Sequence, residues 1–206
     1  VAKAVAAEGG PILLADLADN PGGGAAGDGT EILRELLRVG ARSAVVACLW
    51  DPAAVRECAK AGVGASVTLD VGGKVDARHG APLRVTGTVR TLSDGRFVHK
   101  GPMARGLPGR LGTTAVLDVS DVKVILISHR WQTLDPEMLR FVGLDPLEYK
   151  VLVVKSTIHY RAAFEPIARE IVEVDAPGLS SSNLARFDFK RIRRPIFPLD
   201  PDTAYP

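Results

Sequence analysis

Two short polar segments of this 206-residue chain carry residue types that could bind a ligand or move a proton. The first is a glycine-rich loop, residues 19–30, which begins Asp19, Asn20, Pro21, Gly22, Gly23, Gly24. Consecutive glycines let backbone N–H groups approach a ligand closely, and a helix N-terminus behind them favours negative charge. We therefore predict that the three consecutive glycines contact a substrate. Asp19 is a candidate general base or metal-site partner, and Asn20 is a candidate oxyanion donor.

The second segment, residues 155–161, reads Lys-Ser-Thr-Ile-His-Tyr-Arg. Lys155, Ser156 and Arg161 are predicted to bind a substrate, because such groups hold carboxylates and polarise carbonyls. His159 could move a proton near neutral pH. The alternative is an ordinary helix start, capped by Ser156 or Thr157.

The glycine-rich loop also allows two other interpretations. Gly22, Gly24 and Gly27 fit the G-x-G-x-x-G spacing of dinucleotide-binding loops, and Asp51 lies where a ribose-binding acid would be expected. However, three residues separate the first glycine from the preceding strand, and Asp28 would lie unfavourably close to the phosphates. A nucleotide- or phosphate-binding module is therefore one alternative. The other is a structural or dimerisation domain whose loop is rich in glycine for steric reasons.

The elements that must position both segments form an α/β pattern. Apolar runs at residues 11–18, 43–50 and 151–154 predict strands buried on both faces. Helical spacing predicts helices at residues 30–39, capped by Asp28 or Thr30, and from Pro52 to about Gly62, capped by Asp51. Alternating strands and helices imply a parallel sheet, and loops at the carboxyl ends of parallel strands lie on one edge. The two polar segments should therefore meet there.

The middle of the chain changes to β-branched, often alternating residues over about 65–128. We predict an antiparallel β insert there, with a hairpin at Asp94-Gly95 and a flexible Gly/Pro segment at 101–112. This insert could join the main sheet or pack as its own subdomain. Short helices at 136–142 and 161–169 and a strand at 171–174 follow, and the tail from residue 176 should wrap around the body. The predicted fold is a single α/β domain over residues 1–206, a mixed sheet with helices on its faces and the central antiparallel insert.

Composition restricts the partners. A net charge of +2 from 26 basic and 24 acidic residues argues against nucleic acid, and the basic run at 190–194 is typical of a solvated segment. No apolar run reaches the roughly 18 residues that span a membrane. Cys48 and Cys58 are predicted core residues, and the cytoplasm is the expected compartment. His79, His99 and His129 are expected to be structural or exposed.

The first eight residues have the character of the end of a helix that begins upstream, and the chain does not start with Met. We therefore expect a piece of a longer protein. No cluster of His, Cys, Asp or Glu in the sequence has the composition of a complete catalytic metal site.

Several motifs together resemble the C-terminal domain of the MlrC (microcystinase C) family. They are the strings at residues 15–24, 28–30, 50–52, 62–65, 155–164 and 193–196, in order and at similar spacing between about residues 11 and 200. One departure is Tyr160, where Phe is expected in much of the family.

The resemblance implies a zinc-dependent hydrolase that acts on a peptide or amide substrate. Its metal ligands are expected in a larger N-terminal domain of the same protein, and a homo-oligomer is possible. The C-terminal domain would then complete the active site from one side. In that arrangement Asp19 and Asn20 would orient a metal ligand or a bound water. Lys155, His159 and Arg161 would hold a substrate carboxylate or the developing oxyanion.

Overall fold

A computed structural model describes residues 1–204 of the chain. Its α-helices are α1 (Ala2–Ala6), α2 (Glu31–Arg38), α3 (Pro52–Ala61), α4 (Glu137–Arg140) and α5 (Arg161–Phe164). Its strands are β1 (Ile12–Asp16), β2 (Ala44–Trp50), β3 (Ser66–Val71), β4 (Leu83–Ser93), β5 (Arg96–Val98), β6 (Pro108–Arg110), β7 (Thr114–Val119), β8 (Val122–Ile127), β9 (Val151–Lys155) and β10 (Glu170–Val174). Within residues 1–204, none of the helices has both the length and the apolar surface that crossing a bilayer requires.

Eight of these strands form one mixed sheet in the order β10-β1-β9-β2-β8-β7-β4-β3. The strands from β10 to β8 are parallel neighbours, and those from β8 to β3 are antiparallel neighbours. The predicted mixed sheet with an antiparallel insert is therefore confirmed. The insert continues the main sheet, because β8 pairs in parallel with β2.

Helices cover both faces of the sheet. On β1, Ile12 and Leu14 pack on the face that carries the apolar side of α2 and α3, whereas Leu13 and Ala15 pack on the face that carries α4 and α5. Because successive strand side chains point to opposite faces, a strand buried on both sides reads as a continuous apolar run. This is the pattern of residues 12–15, and all five residues of β1 are buried.

The predicted hairpin at Asp94-Gly95 is wrong. Strand β4 pairs with β3 and β7, whereas β5, which follows the turn, pairs with β6 in a separate two-stranded sheet. Residues 94–113 therefore form a long connection that carries a small sheet of its own. The Gly/Pro segment at 101–112 contains strand β6.

Two helix predictions also need correction. The helix predicted at 161–169 is α5 and ends at Phe164, because Pro166 cannot donate a helical hydrogen bond and restricts the residue before it. Neither predicted cap of α2 acts as one: Thr30 Oγ1 donates to the Ala81 carbonyl, and Asp28 accepts from the backbone of residues 74 and 75. The cap predicted for α3 is confirmed, since Asp51 accepts the amide of Ala54 at 3.0 Å.

Both cysteines are free and fully buried in the core, as predicted. Burial raises the pKa of the Cys48 thiol to about 12 and that of Cys58 to about 11. Because the thiolate is the reactive species, we expect neither cysteine to be alkylated by iodoacetamide at pH 8 until denaturant is added. Mass spectrometry of native and denatured samples checks this. Rapid labelling of the native protein would contradict the buried placement.

Candidate functional site

The two polar segments lie side by side. Strands β1 and β9 pair in parallel with Asp16 opposite Lys155, so the glycine-rich loop and the 155–161 segment leave adjacent strands at the same edge of the sheet. This is the arrangement that the sequence predicted, and ligands of parallel sheets bind at such carboxyl ends.

Lys155 is buried at the base of this edge, with only 2% of the residue exposed. Its ammonium group donates to Asp16 Oδ2 at 3.0 Å, Asp19 Oδ2 at 2.8 Å and the Gly29 carbonyl at 2.9 Å. These three bonds use all three ammonium protons. Their geometry gives Lys155 a structural role in place of the predicted substrate contact.

The charges of this cluster depend on one another. Burial disfavours the charged ammonium, but the attraction of Asp16 and Asp19 and their hydrogen bonds outweigh it and hold the pKa of Lys155 above its ordinary range. Burial raises the pKa of Asp16, and the neighbouring Lys155 charge offsets part of that effect. A buried ion pair of this kind is strongly destabilised when one partner is removed, because an uncompensated charge is left behind.

Asp19 organises the glycine-rich loop from inside. Its side chain is fully buried, and it accepts the amides of Gly27 at 2.6 Å and Gly29 at 2.7 Å as well as the Lys155 ammonium. Gly27 has φ +74°, a conformation that strains other residues, and a Cβ there would lie 2.7 Å from Pro21. Asp19 therefore positions the loop and has no free face toward a substrate.

The loop amides are consumed within the protein. Those of residues 22–26 are donated to Asn20, Pro21 and His79, and those of Gly27 and Gly29 are donated to Asp19. In a dinucleotide-binding loop such amides face the phosphates. Here the Asp19 carboxylate is the anion that the loop surrounds, and this arrangement argues against the phosphate-binding alternative.

His79, which the sequence analysis expected to be structural or exposed, is a buried member of this cluster. It lies in the connection between β3 and β4 and is 1% exposed. Its Nε2 accepts the amide of Ala26 at 3.3 Å and lies 3.5 Å from Asp19 Oδ1. Its Nδ1 lies 3.0 Å from Asp76 Oδ1. An Nε2 that accepts an amide requires a neutral ring with its proton on Nδ1, donated to Asp76.

Asn20 joins three segments of the chain. Its amide nitrogen Nδ2 donates to Thr157 Oγ1 at 2.9 Å, its Oδ1 accepts the amide of Gly22 at 2.9 Å, and its backbone N–H donates to Ser180 Oγ at 2.8 Å. The glycine-rich loop, the second polar segment and the C-terminal tail are thus held together at one residue. The part of the tail around Ser180 packs on the site, as the wrapping prediction required.

His159 is exposed and oriented by an ordered chain. Gln132 Nε2 donates to Ser156 Oγ at 2.8 Å, which turns the amide oxygen of Gln132 toward His159 Nδ1 at 3.1 Å. Because that oxygen only accepts, Nδ1 carries the proton and Nε2 of the neutral ring is a base. Within residues 1–204, Nε2 has no hydrogen-bond partner. Ser156 is buried at the inner end of this chain.

The remaining predicted site residues are three glycines and Arg161. Gly22, Gly23 and Gly24 are exposed at the edge of the sheet, and a Cβ at Gly22 would lie 2.2 Å from Gln132 Oε1, so a side chain there would displace the Gln132 amide. The guanidinium of Arg161 donates to Glu173 near the carboxyl end of β10 at 2.6 Å. The sequence missed Gln132 and Ser180, since neither belongs to a local motif and both reach the site only through the fold.

The residues present do not fit a metal site of their own. Among the described residues 1–204, no group of three or more His, Cys, Asp or Glu side chains could hold a metal ion. Asp16 and Asp19 are committed to Lys155.

Comparisons with known proteins place the chain in a family. A match to the family described as MlrC C-terminus covers residues 14–191. The chain belongs to the MlrC C-terminus family. It is 33% identical over 194 residues to Microcystinase C from Sphingomonas sp, covering 93% of this chain and 36% of that protein. The chain therefore spans little more than a third of this curated relative.

A crystal structure from Mesorhizobium sp. BNC1, of a protein whose name proposes a metallopeptidase, has the same fold. The TM-score is 0.87 at 32% identity, and the match covers 99% of this chain and 40% of that one. The family resemblance seen in the sequence is thereby confirmed.

The buried cluster predicts a large loss of stability when its cation is removed. Lys155→Met leaves two buried carboxylates without their partner, and we expect the free energy of unfolding to fall by about 3–5 kcal/mol. Lys60→Met is the matched control: Lys60 is an exposed partner of Glu57, and we expect a change within about 0.5 kcal/mol. Urea denaturation of both variants measures the difference. Equal stability of the two would show that the cluster does not hold the fold.

The tautomer of His79 is a second test of the cluster. We expect long-range ¹H–¹⁵N correlation spectra at pH 8 to show the neutral ring protonated on Nδ1, because Nε2 accepts the Ala26 amide. His129, which is exposed, serves as the reference ring. A proton on Nε2 of His79 would mean that the ring does not hold the loop in the way described.

Proposed function

We propose that this chain is the C-terminal part of a zinc-dependent peptidase or amide hydrolase and that it completes the active site beside a metal held elsewhere in a longer protein. The observation that carries the proposal is the exposed, oriented His159 at the carboxyl edge of the parallel strands. The family membership and the names of the two relatives support the reaction class.

His159 is proposed to be the residue that handles the proton. Its ring is oriented through Nδ1, so Nε2 can accept a proton from an attacking group or return it to a leaving amine. The chain through Gln132 to the buried Ser156 fixes that orientation without placing a charge next to the ring. Gly22, Gly23 and Gly24 would present an open surface beside it for the substrate backbone.

The other predicted catalytic residues are proposed to act indirectly. Asp19 shapes the loop through Gly27 and Gly29, and Asn20 ties the loop to Thr157 and to the tail. Both are positioning residues, because their polar atoms already have partners inside the protein. The resemblance implies that they orient a metal ligand or a bound water, and this stays a prediction.

The zinc ion is proposed to be bound by ligands outside the described residues, in the N-terminal domain that the family resemblance implies. That domain would face the edge formed by residues 22–24 and His159. The two free thiols are consistent with the cytoplasmic location predicted from the sequence. A homo-oligomer stays a prediction.

A purely structural or dimerisation domain is the alternative that the experiment must separate from this proposal. Such a domain would retain the buried cluster, since the cluster holds the loop, but it would have no need for an exposed histidine with an oriented ring. Rate and stability therefore have to be measured on the same variants.

The test is His159→Ala in the longer parent protein. We expect peptide hydrolysis to fall by about 100-fold or more with little change in stability, because the exposed side chain makes a single hydrogen bond within residues 1–204. Lys60→Ala is the control, because Lys60 is also exposed but lies near the C-terminal end of α3. It should retain the activity of the parent. Near-normal turnover of His159→Ala would remove the case for this site, whereas a stable and inactive variant would contradict the purely structural alternative.

A further inference from the structure

A cleft opens beside the candidate site, between the glycine-rich loop and the C-terminal tail. Its volume is about 1060 Å³, at the upper end of the range of ligand pockets. Gly23 and Thr157 belong both to the site and to the wall of this cleft. The Asn20 backbone bond to Ser180 fixes that wall relative to the loop. The cleft and the candidate site therefore share part of one wall.

One side of the cleft is apolar. It is formed by Leu179, Leu184, Phe187 and Phe189 of the tail. Leu179 is 37% exposed and Phe189 is 41% exposed. The rings of Phe187 and Phe189 lie 6.0 Å apart at an angle of 59°. Tilted aromatic rings with exposed faces are suited to a bulky apolar or aromatic side chain.

Within residues 1–204, the charges that line the cleft leave one cation without a partner. Arg186 is bonded to Asp175 and to the Ala176 carbonyl, and Asp188 is paired with Lys190. Among residues 1–204, the guanidinium of Arg78 makes neither a hydrogen bond nor an ion pair. The net charge available to a ligand in the cleft is thus positive.

Arg78 is held in place by the buried cluster. Its backbone amide donates to Asp76 Oδ1 at 2.6 Å, and the next residue is His79, whose ring is fixed between Asp76 and Ala26. The short 3-10 helix Ala77–His79 therefore presents the Arg78 side chain at the mouth of the cleft while its base is anchored to the glycine-rich loop.

We propose that this cleft binds a carboxylate that lies next to a bulky apolar residue of a peptide, with Arg78 contacting the carboxylate and Phe187 and Phe189 contacting the apolar side chain. This inference deepens the proposed function and rests on it, since it names the class of substrate. An arginine fork matches the two oxygens of a carboxylate, whether that group is a peptide C-terminus or an acidic side chain.

The test is calorimetric binding of model ligands to the longer parent protein. N-acetyl-phenylalanine carries a terminal carboxylate, its amide carries none, and N-acetyl-aspartyl-phenylalanine amide carries a side-chain carboxylate. We expect the acid to bind about tenfold more tightly than the amide, the value of one charge-assisted contact. Tight binding of the aspartyl ligand as well would identify an acidic side chain as a second source of the same group.

Three variants locate the effect. Arg78→Gln should remove the preference for the acid over the amide, and Arg78→Lys should retain part of it. Phe187→Ala should weaken both ligands. Arg56→Gln is the matched control, because Arg56 is likewise exposed and without an ion pair among residues 1–204, but it lies on α3 away from the cleft. It should bind both ligands as the parent does.

The outcomes separate this inference from the proposed function. A parent protein that hydrolyses peptides but binds acid and amide equally, or whose preference survives Arg78→Gln, overturns the carboxylate assignment and leaves the peptidase proposal standing. If neither ligand binds at millimolar concentration, the carboxylate assignment is also overturned. This would be the result if the rest of the parent protein fills the cleft. The parent protein could instead hydrolyse no peptide and still show the preference that depends on Arg78. That result overturns the peptidase proposal and the substrate assignment. The cleft would then be a site that binds carboxylates.

Discussion

The buried contact between Lys155 and the carboxylates of Asp16 and Asp19 is the interaction on which this edge of the molecule depends. Charges in a protein interior are tolerated only when they are paired and hydrogen-bonded. The pairing fixes the ends of β1 and β9 to each other, and Asp19 extends it to the loop through the amides of Gly27 and Gly29. The buried charges of Lys155, Asp16 and Asp19 therefore determine the shape of the site with almost no exposure to solvent.

This internal anion explains why a loop with a nucleotide-like glycine spacing has a different use. Glycine amides can converge on a phosphate, but they converge equally well on a carboxylate supplied by the protein. Because the Asp19 carboxylate occupies the position of the anion, the loop amides are not free for a ligand. The outer surface of the glycines is the part of the loop that stays exposed. Among residues 1–204, the polar groups without a partner near the loop include His159 Nε2, on a ring oriented through Gln132, and the guanidinium of Arg78, on the segment that also holds His79.

Much of the fold could be predicted from the sequence, because the local pattern of apolar residues reflects how each element is buried in the folded protein. Continuous apolar runs marked β1, β2 and β9, because these strands are buried on both faces. The hairpin at Asp94-Gly95 was wrong since the turn signal is local, whereas the partner of each strand is chosen by the whole sheet. The candidate site was predicted in part: the two loops meet as expected, but Lys155 and Asp19 turn inward, and which way a side chain faces depends on its neighbours.

By itself the sequence determined the alternation of strands and helices, the position of both polar loops at strand ends, and the family to which the chain belongs. These features follow from short-range periodicity and from motifs that can be read residue by residue. Only the tertiary structure decided that Lys155 is consumed by two buried carboxylates, that His79 joins them from the β3–β4 connection, and that Gln132 and Ser180 border the site. Those contacts join residues far apart in the chain, and burial and charge pairing select them after the sheet has formed.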